Sequence, residues 1–198
     1  TRKSGHVLRL LNHVFDIAPG MGAVAATALI RRGRIVLVAD TLVHEWPSAE
    51  DLADIAVSAA GIARTLGLEP RVAFVSFSNF GYPVSERAEK MAEAPRVLDA
   101  RGADFEYEGE MTVDVALNAE VQKAYPFSRL SGPANVLVVP ARHSASISTK
   151  LMQEMGEATV LGPILTGVGH DVQLCSTTST VNDILNMAVM AAVKAGGR

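Results

Sequence analysis

Only one cysteine, Cys175, occurs in the 198 residues, so the sequence holds neither a disulfide framework nor a cysteine-rich metal site. No apolar run approaches the roughly 18 residues of a membrane span. The 18 basic and 21 acidic residues form no basic stripe, which excludes a typical nucleic-acid binder. No two of the five histidines have zinc-site spacing, and neither a Gly-x-Ser-x-Gly elbow nor a Walker loop occurs. We expect a cytoplasmic protein in which Cys175 is a buried, inert thiol, since nothing nearby in the sequence would activate it.

The composition that remains is that of a folded domain. Hydrophobic residues make up 48% and charged residues 20%, which is typical of soluble globular chains. The length suits one domain over residues 1–198, with an N-terminal helix and connection at 1–33 and the main α/β lobe at 34–198. The sequence begins at Thr1 and not at a methionine, and we expect it to be a fragment of a longer protein.

Helical and strand-like patterns alternate, which predicts an α/β fold with a mostly parallel sheet and helices on both faces. The strand-like runs are 22–30, 34–40, 71–77, 105–111, 134–140 and 158–169. The helical runs are 1–17, 48–67, 84–101, 113–125 and 179–196. Ser48 and Asp51 have the spacing of a capping box, and Ser179 is the expected cap of the last helix. The predicted core stripe of that helix is Ile184, Leu185, Met187, Ala188 and Ala191.

Three polar segments follow predicted strands, where ligands of open parallel sheets bind. They are 76–81, 143–146, and Gly162-Pro163 together with the Ser/Thr run at 176–180. Hydroxyls, small residues and backbone N–H groups suit a phosphate or a carboxylate. The alternative is that serine and glycine only punctuate strand ends, and the patterns leave both interpretations open.

From about Arg34 to the end, several stretches carry a family resemblance. They are VADTLVHEWPSAEDLADIA, PRVAFVSFSNFG, FEYEGEMTVDVALNAE, SGPANVLVVPARHSASISTK, GPILTG and STVNDILNMA. In their order and gaps the chain resembles the phosphate acetyl/butyryltransferase, or phosphotransacetylase, family. YPFSRLSGPANVLVVPA and HSASIS are similar above all to the phosphotransacetylase-like C-terminal domain of bacterial NADP-dependent malic enzymes. The resemblance implies half of an isocitrate/isopropylmalate dehydrogenase-like fold, in which two α/β lobes enclose a ligand cleft.

The resemblance also singles out residues of the last turn, which reads Asp-Leu-Ser-Arg-Gly in the family. Here the serine is kept as Ser176, Thr177 replaces the arginine, and Asp183 matches an acidic position of the final helix. An arginine holds a phosphate through two charged hydrogen bonds, whereas a threonine offers one neutral hydroxyl. If the domain is active, Ser176 and Asp183 are the expected catalytic residues. The predicted acyl-CoA or phosphate ligands are Ser76, Ser78, Asn79, Ser144, Ser146, Lys150, Gly162, Pro163, Ser176, Thr177, Asp183 and Arg9.

The loss of the arginine favours a domain that senses an acyl-CoA over one that transfers its acyl group. The resemblance then implies acetyl-CoA as effector, a homo-oligomer formed as a dimer through this domain, and N-terminal malic enzyme domains in the same polypeptide. NADP and a divalent metal would belong to those missing domains, with no cofactor in this one. The alternatives are an active phosphate acetyltransferase and a domain that only builds the oligomer.

Overall fold

The computed structural model describes residues 22–168 and 170–196, and the helix predicted at 1–17 lies outside them. The strands are β1 (Val24–Arg31), β2 (Arg34–Ala39), β3 (Arg71–Val75), β4 (Glu106–Met111), β5 (Val136–Val138) and β6 (Thr159–Thr166). The helices are α1 (Ala49–Thr65), α2 (Glu86–Arg101), α3 (Val113–Leu117), α4 (Ala119–Gln122), α5 (Arg142–Met155) and α6 (Val181–Gly196).

The six strands form one mixed sheet in the order β4-β3-β5-β2-β1-β6. The β2–β5, β5–β3 and β3–β4 pairs are parallel, whereas β1 runs antiparallel to both β2 and β6. The predicted α/β class is therefore confirmed, with a sheet that is mixed because the tight turn at Arg32-Gly33 reverses the chain between β1 and β2. Among the helices of the described residues, none combines the length and apolar character that a membrane crossing requires.

The sheet is buried on both faces, which explains the continuous apolar runs of its central strands. One face packs on α1, α2 and α6, through a cluster that includes Phe74, Leu37 and Ile55. The other face packs on α3 and α5, through a cluster that includes Met111, Leu137 and Ala145. Alternate residues of each strand enter alternate clusters, as the pleat requires.

Helix α1 begins where the sequence predicts. The Ser48 side chain accepts a hydrogen bond from the Asp51 backbone N–H, and the Asp51 carboxylate accepts one from the Ser48 N–H. This capping box satisfies two donors that a helix start leaves unpaired. The predicted stripe is buried, including Leu52, Ile55 and Ile62.

Two segments differ from their predictions. The run 113–125 is divided into α3 and α4, because the Asn118 side chain accepts a hydrogen bond from the Glu120 N–H and starts a new helix. The polar segment after β5, predicted as a ligand loop, is the helix α5. Its serine hydroxyls turn back onto the helix, as when Ser148 donates to the Ser144 carbonyl.

The last helix also differs from its prediction. Its cap is Thr180 and not Ser179, since Thr180 and Asp183 exchange two hydrogen bonds. The predicted core stripe is wrong in part. Met187 is buried together with Met190, but the larger side chains Ile184 and Leu185 are 52% and 60% exposed, and Ala188 is exposed while Ala191 is half-buried. The helical spacing of apolar residues predicts an apolar face, but it does not predict which surface covers that face.

Gly109 in β4 is a position where any side chain would collide with β3. Its φ is +152°, and a Cβ built on it would lie 2.7 Å from both the Cβ and the carbonyl oxygen of Phe74. We expect Gly109→Ala to lower the free energy of unfolding by about 1–3 kcal/mol, the usual cost of overpacking. Urea denaturation measures this change. Gly132→Ala is the matched control, because a Cβ there meets nothing within 4 Å; equal losses for the two variants would contradict the packing argument.

Candidate functional site

Asp40 directly follows β2 at the edge of the sheet where the parallel strands end, and it is 2% exposed. Its Oδ1 accepts hydrogen bonds from the backbone N–H groups of Ala25, Leu42 and Val43 at 3.3, 2.8 and 3.1 Å. Its Oδ2 accepts from the N–H groups of Val43 and His44, at 3.2 and 2.8 Å. The buried carboxylate therefore fixes the loop after β2 to the start of β1.

His44 completes the coordination of that carboxylate. Its Nδ1 lies 2.7 Å from Asp40 Oδ2, and the ring is partly exposed. The hydrogen bond to Asp40 raises the pKa of His44, against the opposing effect of burial, with further help from the charges of Asp40, Asp51 and Asp54. The His44 carbonyl accepts the Arg142 N–H at 3.3 Å, so the same loop also positions the start of α5.

We call His44, Trp46, Arg142 and His143 the edge cluster. The Arg142 Nη2 lies 3.7 Å from Glu45 Oε2, and the Trp46 and His143 ring centroids are 6.1 Å apart. Trp46 is 72% exposed. No side chain caps the N-terminus of α5, a helix of 14 residues. Arg142 and His143 are its first two residues, so this N-terminus lies at the edge cluster. Such an arrangement can hold an anionic group and stack a flat ring.

The first predicted segment, after β3, has mainly internal partners. Ser78 is fully buried and donates its hydroxyl to Glu110 Oε1 at 2.8 Å. The Asn79 side chain accepts from the Thr112 N–H at 2.8 Å, which fastens the loop to the end of β4. Ser76, half-buried, donates its backbone N–H to the Met111 carbonyl at 2.8 Å. These contacts fit the alternative in which polar residues shape a strand end.

The second and third segments are placed unequally. Ser144 and Ser146 lie in the first turns of α5, beside the edge cluster, while Lys150 lies about 6–9 Å further along that helix. Gly162 and Pro163 do not lie at the carboxyl ends of the strands. They lie inside β6, beside the irregularity of β1 between Ala26 and Ala28. A Cβ on Gly162 would lie 3.0 Å from the Ala26 carbonyl oxygen, so its role there is close backbone approach.

The last turn is exposed and largely self-contained. The Ser176 Oγ lies 2.9 Å from the Thr178 Oγ1 and accepts the Thr178 N–H at 3.2 Å. Asp183 is the hydrogen-bond partner of Thr180, and the hydrogen bonds with the Thr180 backbone and side chain lower the pKa of the Asp183 carboxyl. Thr177 is exposed, and Cys175 is exposed as well, which corrects the expectation of a buried thiol. Arg9 lies outside the described residues.

Sequence reasoning missed Asp40, His44 and Arg142. The available signal was an aspartate directly after the buried run RIVLVA, followed by a histidine four residues later. The edge rule, applied to β2 as it was to β3 and β5, would have selected this loop. Within the described ranges, no group of three or more His, Cys, Asp or Glu residues is placed to hold a metal ion.

The fold defines an α/β domain of the phosphotransacetylase type. A solved phosphotransacetylase from Streptococcus pyogenes superposes with a TM-score of 0.92 at 27% identity, over 100% of this chain and 61% of that one. Residues 1–192 match the family described as phosphate acetyl/butaryl transferase, and the chain belongs to that family.

Two kinds of curated relatives match. An NADP-dependent malic enzyme of Rhizobium meliloti is 52% identical over 196 residues, which are 99% of this chain and 26% of that protein. A phosphate acetyltransferase of Bacillus subtilis is 33% identical over 178 residues, which are 89% of this chain and 55% of that protein. The chain thus spans about a quarter of the malic enzyme it matches.

Replacing His44 by glutamine is expected to destabilise the domain most at acidic pH. The folded-state pKa of His44 is raised above its ordinary value of 6.5. Protonated His44 therefore contributes stability that is complete below that value and is lost as the pH rises through the folded-state pKa. Urea denaturation at pH 5 and pH 9 should give the larger loss at pH 5. A pH-independent loss for His44→Gln would refute the assignment.

Proposed function

We propose that this domain binds an acyl-CoA, acetyl-CoA in the first place, at the carboxyl edge of its sheet and signals its presence without transferring the acyl group. It does so as the C-terminal domain of an NADP-dependent malic enzyme, whose malate and nicotinamide chemistry belongs to other domains of the same polypeptide. The identity to the malic enzyme of Rhizobium meliloti supports this assignment.

One observation carries the proposal of sensing without transfer. The segment 170–183 holds neither arginine nor lysine, and Thr177 occupies the position where the family pattern has arginine. Acyl transfer to phosphate needs charge stabilisation at the reacting centre, and loss of such a contact costs several kcal/mol. The last turn supplies only neutral hydroxyls, and the Asp183 carboxylate is already hydrogen-bonded to Thr180, the cap residue of α6.

The edge cluster is the feature that supports the proposed binding. Arg142 and the N-terminus of α5 offer positive charge to the phosphates of a coenzyme A, His143 offers a ring N–H, and Trp46 offers a face to its adenine. We further propose that the intact protein has two α/β lobes of the isocitrate/isopropylmalate dehydrogenase type, and that this chain forms one wall of the cleft between them.

Isothermal titration with acetyl-CoA tests the binding step, on this chain and on the full-length protein. We expect saturable binding that Arg142→Gln weakens about tenfold, because a charge-assisted hydrogen bond contributes roughly 1.5–3 kcal/mol. Arg101→Gln is the matched control, because Arg101 is the last residue of α2 and forms an ion pair with Asp54. No saturable binding in either protein would reject the proposal. In the full-length protein, malate or NADP must in turn shift the acetyl-CoA affinity.

An active phosphate acetyltransferase is the second candidate, favoured by the retained Ser176 and the identity to the Bacillus subtilis enzyme. An assay of acetyl-phosphate formation from acetyl-CoA and phosphate separates the two candidates. We expect no turnover. Turnover that disappears in Ser176→Ala would establish the transferase instead.

Oligomerisation is a further part of the proposal, and it rests on the outer face of α6. Val181, Ile184, Leu185, Val189 and Val193 are each about half exposed or more. Because Met187 and Met190 already cover the inner side, α6 is apolar nearly all round. A helix of that composition is buried in the complete assembly, and we assign a second copy of the chain as the partner.

Leu185→Glu tests this interface by placing a charge at its centre. Sedimentation equilibrium should give the mass of a dimer for the parent chain and of a monomer for the variant, because burying an unpaired carboxylate opposes association. Met155→Glu, at a 79% exposed methionine of α5, is the control and should remain dimeric. A monomeric parent chain would contradict the assignment and leave the α6 face to another part of the longer protein.

A further inference from the structure

Two adjoining cavities lie between α2, the loop after β3 and the end of the outer strand β4. Their volumes are about 390 and 210 Å³. Gly81, Ala92, Arg96 and Glu110 line both of them, so they form one continuous groove. We call it the α2 groove. Its walls come from three separate segments, of which the sequence patterns single out only 76–81, the segment that supplies Phe80 and Gly81.

Glu110 provides a buried carboxylate at the floor of the α2 groove. It is 1% exposed, and its Oε1 accepts hydrogen bonds from the Ser78 hydroxyl and the Gly81 N–H, both at 2.8 Å. Among the described residues, no cation pairs with this carboxylate, and its Oε2 receives no hydrogen bond. A buried carboxylate is ordinarily paired with a cation, because its desolvation is costly.

The other charged groups of the groove leave one cation available. Asp99 and Arg129 neutralise each other through a 2.6 Å contact, and Arg129 also approaches Glu108. Arg96 is exposed on α2, and within the described part of the chain it forms no ion pair. The groove therefore presents the cation of Arg96 and the buried carboxylate of Glu110, which do not contact each other, with a second, exposed carboxylate, Glu89, beside the smaller cavity.

The remaining wall is apolar and rigid. Phe80, Ala92 and Pro95 line the larger cavity. The Phe80 ring packs against Tyr125 and Phe127, with centroid distances of 5.1 and 4.8 Å, so its position is fixed from behind. Such a wall suits a small aliphatic group.

We propose that the α2 groove binds a free α-amino acid with a small aliphatic side chain. The ammonium group of the amino acid donates a hydrogen bond to Glu110 Oε2, and its carboxylate binds Arg96. Its side chain packs on Phe80, Ala92 and Pro95. The carboxylates of Glu110 and Glu89 oppose a multiply charged anion, and a simple amine leaves Arg96 without a partner. The groove lies at the β4 end of the sheet, apart from the edge cluster, so the inference does not depend on the acyl-CoA proposal.

Titration of the isotopically labelled chain, followed by NMR, tests the inference with L-alanine, L-valine and L-leucine as probes. At least one probe should shift the amide signals of Gly81, Arg96 and Glu110 in a saturable manner. Isobutylamine and isovalerate are valine without its carboxylate and without its ammonium group. Each should bind at least about tenfold more weakly than L-valine, because each loses one charge-assisted contact. No saturable shift with any of the three amino acids would overturn the proposal.

Three variants then assign the contacts. Glu110→Gln keeps an oxygen that accepts from Ser78 and Gly81 but removes the charge, and Arg96→Gln removes the cation from an exposed position. Each should weaken amino acid binding about tenfold or more. Lys90→Gln removes the same charge from α2 outside the groove and should leave binding unchanged. Full affinity in both Glu110→Gln and Arg96→Gln would overturn the proposed placement, and thermal unfolding confirms that each variant is folded.

Discussion

The buried carboxylate of Asp40 holds together the part of the domain where ligands are expected. It accepts hydrogen bonds from the backbone of β1 and from three successive N–H groups of the loop after β2. The His44 ring is hydrogen-bonded to the same carboxylate, and the His44 carbonyl accepts a hydrogen bond from the first residue of α5. Without an acceptor at this position, several buried donors would lose their partners, at about 1–3 kcal/mol each. A single side chain therefore fixes the loop that carries His44 and contacts the start of α5.

The proposed function separates two abilities, acyl-CoA binding and acyl transfer. Binding of an acyl-CoA needs positive charge and a stacking surface, and the proposal assigns these roles to Arg142 and Trp46 near the start of α5. Transfer needs charge stabilisation at the last turn, where Thr177 is neutral and Asp183 is engaged as the partner of the cap residue Thr180. A scaffold can lose the second ability and keep the first, because the two depend on different loops of the same edge.

Two surfaces extend the domain's interactions beyond that edge. The outer face of α6 is apolar and exposed, which suits a contact with another protein surface. The α2 groove at the far end of the sheet combines a buried carboxylate with an available arginine, which suits a small zwitterion. Because β5, β2 and β1 separate β3 and β4 from β6, the groove and the α6 face belong to opposite ends of one rigid sheet.

The sequence by itself determined the α/β class, the strand runs that form β3 and β5, the capping box of α1 and the family, since each depends on local pattern or on an ordered series of motifs. It predicted polar segments at strand ends, but it did not distinguish residues that face a ligand from residues that fasten a loop, such as Ser78 and Asn79. Only the tertiary structure decided that Gly162 lies inside β6 and that Leu185 is uncovered. The physical reason is that pairing register, burial and charge partners arise between segments distant in the chain, where local periodicity carries no information.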